Sequence, residues 1–227
     1  MKSIFLGLIV LLSTQVYAQT SANISVTSNY VWRGVTQTGH TSAVQGNLDY
    51  TMNNFTVGAW GSSLTRGSDA GNTDQSNSEI DLFASYTHAL NDQFKLALGF
   101  TNYTYTNDSN LNTAEYSLSV ISKYATLFVG STSDYFDTES SSTYVNISTS
   151  IELSAADAVS LNLAIGATSF DDEDKVGYKN FNDYKIAISK KKDDKTFQMF
   201  WTSTNREDTS DEELKDSVVG FSLTLDV

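Results

Sequence analysis

The two histidines are the first residues to test for chemistry, since a hydrolase of the Ser–His–acid type needs a histidine, a serine and an acid close together. His40 stands beside Thr38 and Thr41 in a polar segment, and His88 ends an alternating apolar run. Neither environment offers a suitable general base for such a site. The sequence therefore predicts that the protein is not an enzyme.

Two clusters of acidic residues could supply the oxygen ligands that a hard cation prefers. Their spacing does not match a calcium-binding loop, and a solvated run of charge is the more common meaning of such clusters. We therefore predict no metal site and no cofactor, while divalent ions that bridge these loops to anionic lipopolysaccharide stay open as an alternative. The clusters are Asp171, Asp172, Glu173 and Asp174, and then Glu207, Asp208, Asp211, Glu212 and Glu213.

Charged side chains of both signs also occur at alternate positions within runs that are otherwise apolar. If these runs are strands, the charged side chains share one face with small and polar residues. Inside a barrel they could pair and plug the interior, or they could line a narrow water path. The candidate pore-lining residues are Arg33, Asp49, Asp81, Lys95, Glu115, Lys123, Glu152, Lys185 and Gln198.

Strands are the elements that would position these side chains, and the first run is the clearest. Apolar and polar residues alternate from Ala22 to Arg33, with Ile24, Val26 and Trp32 on one parity. The run is longer than the roughly 5–6 residues of a globular strand and fits the about 9–11 that cross a bilayer. It favours a membrane strand, although a half-buried strand of a soluble sandwich alternates in the same way.

The same alternation recurs to the end of the chain and gives about 12 strands, an even number as in single-chain bacterial barrels. Tight connections near Asn53, Asn91, Lys123, Ala155 and Lys192 alternate with longer polar connections, most of them acidic. A soluble sandwich has no reason to separate its loops by length in this way. We therefore predict an all-β fold, a single transmembrane up-and-down antiparallel β-barrel with short periplasmic turns and longer acidic outer loops.

Aromatic residues gather at both ends of the predicted strands, as expected for the two interfacial girdles of a membrane barrel. Tyr103 and Tyr144 fall on the inward parity and do not fit this pattern. The candidate girdle residues are Tyr50, Phe55, Tyr86, Phe94, Tyr124 and Phe197 at the short-turn end, and Tyr30, Trp32, Tyr116, Phe170, Tyr178 and Tyr184 at the long-loop end.

The N-terminal segment predicts export. Lys2 precedes an apolar run from Ile4 to Leu12, and Val16-Tyr17-Ala18 has the small-x-Ala form of a cleavage site. The apolar run is too short to cross a membrane as a helix. We predict a cleaved signal peptide at residues 1–18 and a barrel at residues 19–227.

Composition narrows the remaining classes of function. The chain has no cysteine, so it has neither a disulfide framework nor a thiolate metal site. It also has no proline, a residue that central strands exclude. The formal net charge of −13 argues against a nucleic-acid partner.

Three segments resemble the TorF family of porins, which is also catalogued as a bacterial family of unknown function. The segments are SNYVWRGVTQT, AVQGNLDY and EIDLFASY, which lie in this order between Ser21 and Leu90; beyond them only the strand rhythm is similar. The resemblance implies an outer-membrane barrel of Gram-negative bacteria with a pore function, and it supplies no catalytic residues. The chain departs from outer-membrane barrels in ending on Val227 rather than on an aromatic residue read by the assembly machinery.

Two functions fit these patterns. The first is a porin-like channel for passive diffusion of small hydrophilic solutes, with a weak preference for cations because the predicted outer loops are acidic. The second is a closed barrel whose outer loops have a structural or adhesive role. Either would have outer-membrane lipid, lipopolysaccharide and the barrel-assembly machinery as partners, and the sequence leaves the oligomeric state open.

Overall fold

A closed antiparallel barrel of twelve strands forms the body of the protein. The computed structural model describes residues 18–64, 78–106, 108–209 and 217–227. This architecture confirms the predicted all-β barrel. Its wall strands are β1 (Ala18–Thr27), β4 (Ala43–Met52), β5 (Phe55–Ser63), β6 (Ser78–Ala89), β7 (Phe94–Tyr105), β8 (Thr113–Ser122), β9 (Thr126–Thr132), β10 (Ser142–Ser154), β11 (Val159–Phe170), β12 (Phe181–Lys192), β13 (Lys195–Thr204) and β14 (Ser217–Asp226).

The barrel closes where the first strand meets the last. β1 pairs with β4 over ten residue pairs, from Ala18↔Met52 to Thr27↔Ala43. On its other side β1 pairs with β14 over five, from Asn23↔Asp226 to Thr27↔Ser222. Because closure removes the sheet edges, the backbone groups of the wall bond to one another rather than to solvent.

The two faces of the wall differ in polarity, and β6 shows the rule. Ile80 and Leu82 project outward and are exposed, while Glu79 and Asp81 project inward and are buried. A strand turns successive side chains to opposite faces, so the alternation in the sequence becomes an apolar outer surface and a polar interior. This is the reverse of a water-soluble fold.

Connection length separates the two ends of the barrel. The short-turn end carries connections at 53–54, 90–93, 123–125, 155–158 and 193–194, as predicted. The long-loop end carries connections at 28–42, 64–77, 106–112, 133–141, 171–180 and 205–216. The signal peptide up to residue 17, most of the polar loop at 66–78 and the acids Asp211, Glu212 and Glu213 lie outside the described residues.

The helical content of the described residues is small. It consists of a 3-10 turn at Ser109–Leu111 and the single-turn helix α1 at Glu173–Val176. In the described ranges no helix has the length and apolar character needed to cross a membrane.

A small hairpin departs from the wall after β1. It is formed by β2 (Val31–Trp32) and β3 (Val35–Thr36), which pair with each other and not with the barrel. Arg33 and Gly34 form its two-residue turn, with φ of +47° and +77°. Positive φ at both turn residues is the geometry that matches the twist of a tight hairpin. We call residues 28–42 the lumen hairpin, because its contacts are with inward-facing side chains of the barrel.

Candidate functional site in the lumen

The tip of the lumen hairpin is attached to the opposite wall by a buried ion pair. Arg33 Nη2 lies 2.5 Å from Glu115 Oε2 on β8, and the two side chains are only 6% and 7% exposed. The guanidinium carbon of Arg33 also lies 4.2 Å from the ring centre of Trp32 and 4.0 Å from that of Tyr144. Breaking a buried pair leaves an uncompensated charge, so this contact strongly favours the inserted position of the hairpin.

Gly34 allows the tip to sit against a second part of the wall. A Cβ at this position would lie 2.8 Å from Asp183 Cβ and 2.9 Å from Thr204 Cβ, too close for any side chain. The positive φ of Gly34 is equally unfavourable for other residues. Glycine is therefore required here both for the turn and for the close approach to β12 and β13.

Aromatic packing holds the body of the hairpin, and here the structure differs from the predicted girdle. Tyr30 is 9% exposed and packs against Trp60, with ring centres 5.3 Å apart. Trp32 packs against Tyr103 and Phe136 at 6.0 and 5.7 Å. Both were predicted to be interfacial, and both lie inside, because the chain leaves the wall at residue 28 while the alternation of the sequence continues.

Apolar contacts fix the two strands of the hairpin to different walls. Val31 packs on a cluster formed by Ala187, Phe200 and Val218. Val35 packs on a second cluster, whose members are Phe170, Val176 and Phe181. Together with the Arg33 contacts, these clusters show that the lumen hairpin reaches across the interior in the long-loop half of the barrel.

The base of the hairpin is a network of hydroxyl and amide groups. Thr38 is fully buried, and its hydroxyl accepts from the Tyr30 amide at 3.1 Å and lies 2.6 Å from the Thr41 carbonyl oxygen. Asn29 Nδ2 lies 3.3 Å from His40 Nδ1. His40 thus belongs to this network, whereas His88 is an exposed residue near the short-turn end that stacks on Tyr86. The histidines lie at opposite ends of the barrel, so they cannot contribute to one site.

Carboxylates surround the hairpin in the long-loop half. Glu79, Asp81 and Asp183 project inward and are buried, and each has one oxygen without a hydrogen-bond partner. Tyr105 donates to Glu79 at 3.1 Å, and Tyr144 donates to Asp183 at 3.3 Å. With Glu115, the described residues of this half therefore include four buried carboxylates, of which Glu115 pairs with Arg33.

The phenol of Tyr30 lies among these acids. Burial raises its pKa well above the ordinary value of a tyrosine, and the nearby carboxylate of Glu79 raises the pKa further. Tyr30 therefore stays protonated at physiological pH. Its hydroxyl is a neutral donor that can face the carboxylates without adding charge.

Two of the cavities in the described lumen share lining residues. The outer chamber, ≈ 390 Å³, lies against the hairpin and is lined by Arg33, Trp60 and Tyr144 among others. The inner chamber, ≈ 530 Å³, lies at the short-turn end and is lined mainly by hydroxyl, amide and lysine side chains. Three residues line both chambers: Ala164, Lys185 and Gln198. We call this junction the waist.

The other candidate pore-lining residues are spread along the lumen. Asp49 accepts hydrogen bonds of 2.8 Å from Ser21 and from Asn47. Lys95 and Glu152 lie near the short-turn end, in β7 and β10. Lys123 lies in the turn after β8, with its ammonium 4.8 Å from the ring centre of Tyr124. The inward carboxylates Glu79 and Asp183 were missed, although each shares the parity of a residue that was predicted, Asp81 and Lys185.

Most of the remaining girdle candidates lie on the outer surface. Phe170 and Tyr178 do not, because both pack inside the long-loop end on the cluster around Val176, and Tyr178 also contacts Arg206. Two further aromatic residues, Trp201 and Phe221, are exposed on the outer surface but were not among the predicted girdle residues. The candidates on the outer surface are Tyr50, Phe55, Tyr86, Phe94, Tyr116, Tyr124, Tyr184 and Phe197.

The acids at 171–174 organise their own loop. Asp172 caps α1 by accepting from the Lys175 amide at 3.1 Å, and Glu173 accepts from the Asn180 amide at 2.9 Å. Asp171 accepts from the Ser141 hydroxyl of the neighbouring loop. Within the described ranges, no three histidine, aspartate or glutamate side chains are grouped closely enough to hold a metal ion.

Comparisons with known proteins agree with the fold. The sequence profile of the family described as "Bacterial protein of unknown function (Gcw_chp)" matches residues 14–222. The structure is similar to KdgM porin, with a TM-score of 0.54 and 9% identity over 91% of this chain and 98% of that one. It is also similar to the COG4313 outer membrane channel from Pseudomonas putida F1, with a TM-score of 0.54 and 10% identity over 92% of this chain and 95% of that one. No curated protein sequence matches the chain. At this identity the two structural likenesses show the fold alone.

Proposed function

We propose that this chain, which belongs to the Gcw_chp family of bacterial proteins of unknown function, is an outer-membrane channel for the passive diffusion of small hydrophilic solutes. The observation that carries the proposal is the inverted polarity of the closed wall. Large apolar side chains such as Leu48, Phe55 and Ile147 are each more than half exposed on the outside. Water would not tolerate such a surface, whereas lipid requires it.

The interior supports a channel rather than a solid core. Both chambers are lined by hydroxyl, amide and charged groups, which suit a water-filled path for hydrophilic solutes. The lumen hairpin occupies part of the long-loop half and would restrict passage to small solutes. Single-channel conductance of the purified protein in a planar bilayer tests this function.

Outer-membrane location is the first expected result. The exported, signal-peptide-processed chain should fractionate with the outer membrane, with its short turns in the periplasm and its long loops facing out. Density-gradient separation of the two membranes, with N-terminal sequencing of the product, measures both location and cleavage. Recovery in the soluble periplasm after mild lysis would contradict the proposal.

Outer-membrane lipid, lipopolysaccharide and the barrel-assembly machinery are the proposed partners of the protein. Its membership of the TorF family stays a prediction.

A weak preference for cations over anions is the second expected result. Acids at the outer rim and in the long-loop half attract cations within the Debye length, about 8 Å at physiological salt. The preference should therefore fade at high salt. Among the acids at 171–174, only Asp174 is exposed and free of a described loop-forming bond. Asp137 is likewise exposed in the 133–141 loop. The variant Asp137→Asn/Asp174→Asn should reduce the ratio of cation to anion permeability by about 1.5-fold.

Reversal potentials under a salt gradient measure this ratio. The matched control is Asp92→Asn, which removes an exposed acid from a connection at the short-turn end. An anion-selective channel, or a ratio that ignores the two rim acids, would show that other lumen residues control permeation.

A closed barrel with a structural or adhesive role is the second candidate. The observation that favours it is the lumen hairpin, since the buried pair of Arg33 and Glu115 and its aromatic contacts fill much of the long-loop half. A barrel that inserts into bilayers but passes no current would support this candidate.

A further inference from the structure

Lys185 is the predicted pore-lining cation that lines both the inner and the outer chamber. Its side chain leaves the middle of β12, enters the waist and lines both chambers. Among the described residues its ammonium makes no hydrogen bond and no ion pair. The ammonium lies 5.5 Å from the centre of the Phe200 ring, a cation–π contact. The residue as a whole is exposed to the lumen.

Arg33 provides the contrast. Its charge is neutralised by Glu115 and almost fully buried, so it contributes little field to a passing solute. Lys185 has no such partner, although Asp183 lies two residues away on the same face of β12. Asp183 instead accepts from Tyr144 and lies against the tip of the hairpin.

Gln198 lies on β13, where it pairs with Ser189 of β12. Gln198 also lines both chambers, and within the described ranges its side-chain amide has no hydrogen-bond partner. An ammonium and a free amide can each donate to a carboxylate. The waist thus presents two unused donors at the point that a solute must pass between the chambers.

We propose that Lys185 is the selectivity-determining residue of the lumen and that its ammonium forms a subsite for the carboxylate group of a small solute. The inference rests on the proposed channel function and assigns it a solute class. It also explains why the cation preference should be weak: the acids of the long-loop half attract cations, and the ammonium at the waist opposes them.

A single cysteine can report the charge at the waist, because the chain contains no cysteine of its own. Ala164 is the direct neighbour of Lys185 on β11, and Ala164→Cys is a small change. The purified variant is labelled with anionic and cationic methanethiosulfonate reagents of similar size. Lys185 also affects how readily the thiol ionises, but that effect is common to both reagents and cancels in the ratio of their rates.

Adding Lys185→Gln should lower the ratio of anionic to cationic labelling rates by about three- to tenfold, as expected for one screened charge at close range. The matched control is Lys95→Gln in the same background. Lys95 lies near the short-turn end of β7, on the far side of the barrel, so its removal should leave the ratio nearly unchanged. No fall with Lys185→Gln, or an equal fall with Lys95→Gln, would overturn the proposal.

Protection of the cysteine from labelling by a dicarboxylate tests the proposed carboxylate subsite. Succinate, at an ionic strength matched with sodium chloride, should slow labelling by both reagents when Lys185 is present and should have no effect after Lys185→Gln. Equal protection in both backgrounds would overturn the subsite.

Reversal potentials connect the residue to transport. Lys185→Gln should raise the ratio of cation to anion permeability by about two- to threefold, while Lys95→Gln should not. If the wild-type protein passes no current, the channel function fails, yet the labelling ratio still decides whether Lys185 sets the charge of the waist.

Discussion

Replacing residues 30–37 with a Gly-Ser-Gly link is expected to raise single-channel conductance at least about threefold, because an empty barrel of this strand number leaves more space than its own wall side chains fill. The two strands of the hairpin form no ladder with the wall strands, and Thr27 and Ala43 at its ends already pair with each other. A short link can therefore connect β1 to β4 without disturbing the wall. Planar-bilayer recordings measure the change.

A point variant tests the same expectation without shortening the chain. Glu115→Gln leaves the guanidinium of Arg33 buried without its carboxylate, a loss of about 3–5 kcal/mol in the free energy that holds the hairpin in place. The hairpin should then leave the lumen part of the time, and the current should alternate between the wild-type level and a larger one. Asp49→Asn is the control, because Asp49 is also an inward carboxylate with two hydrogen bonds but is not bonded to the hairpin.

Wild-type conductance in the link variant would show that the hairpin does not restrict the path. Equal behaviour of Glu115→Gln and Asp49→Asn would show that the ion pair does not hold it.

Arginine substitutions at two adjacent residues of β10 are expected to have opposite outcomes. Ile147 projects outward and is 52% exposed, whereas Ser148 projects into the inner chamber. In lipid, Ile147→Arg should lower the free energy of unfolding by about 2–4 kcal/mol, the cost of arginine near the bilayer midplane on the outer face of a barrel. Ser148→Arg should change it by less than about 1 kcal/mol, since its charge reaches water in the chamber.

Denaturant titration of the protein folded into liposomes gives both values. Each variant is the other's control, because the two substitutions introduce the same side chain one residue apart. Equal losses would mean that the two faces are assigned wrongly, or that both face water as in a soluble protein.

The wall could be predicted from the sequence because its signal is local. A period of two, repeated between turn residues of unequal spacing, determines both the number of strands and the face of each side chain. Leu161 and Asn162 illustrate this, since their order in the sequence alone assigns one outward and the other inward. Membrane barrels preserve this pattern because lipid contacts nearly the whole outer face.

The lumen hairpin could not be read from that signal, because Tyr30 and Trp32 continue the alternation of β1. A two-residue turn is visible in retrospect, since Arg33-Gly34 separates two short β-prone pairs. Glycine at a position of positive φ is the only local indication, and it does not reveal that the hairpin turns inward. The sequence also cannot predict that Arg33 is paired with a carboxylate while Lys185 is not. The pairing of Arg33 depends on whether a carboxylate 82 residues away in the sequence comes within bonding distance.

The position of the hairpin in the chain also constrains the order of folding. Residues 28–42 follow the first strand, yet many of their partners lie on β8, β10, β12, β13 and β14, which are synthesised much later. The seam between β1 and β14 joins residues more than 190 positions apart, so its formation carries the largest loop-closure entropy of the molecule. The lumen is enclosed only once that seam has formed, so we expect the hairpin to take up its final position after the wall has assembled. Insertion of the hairpin is then a late and separate kinetic step, and a barrel that has just closed is for that interval an unobstructed tube.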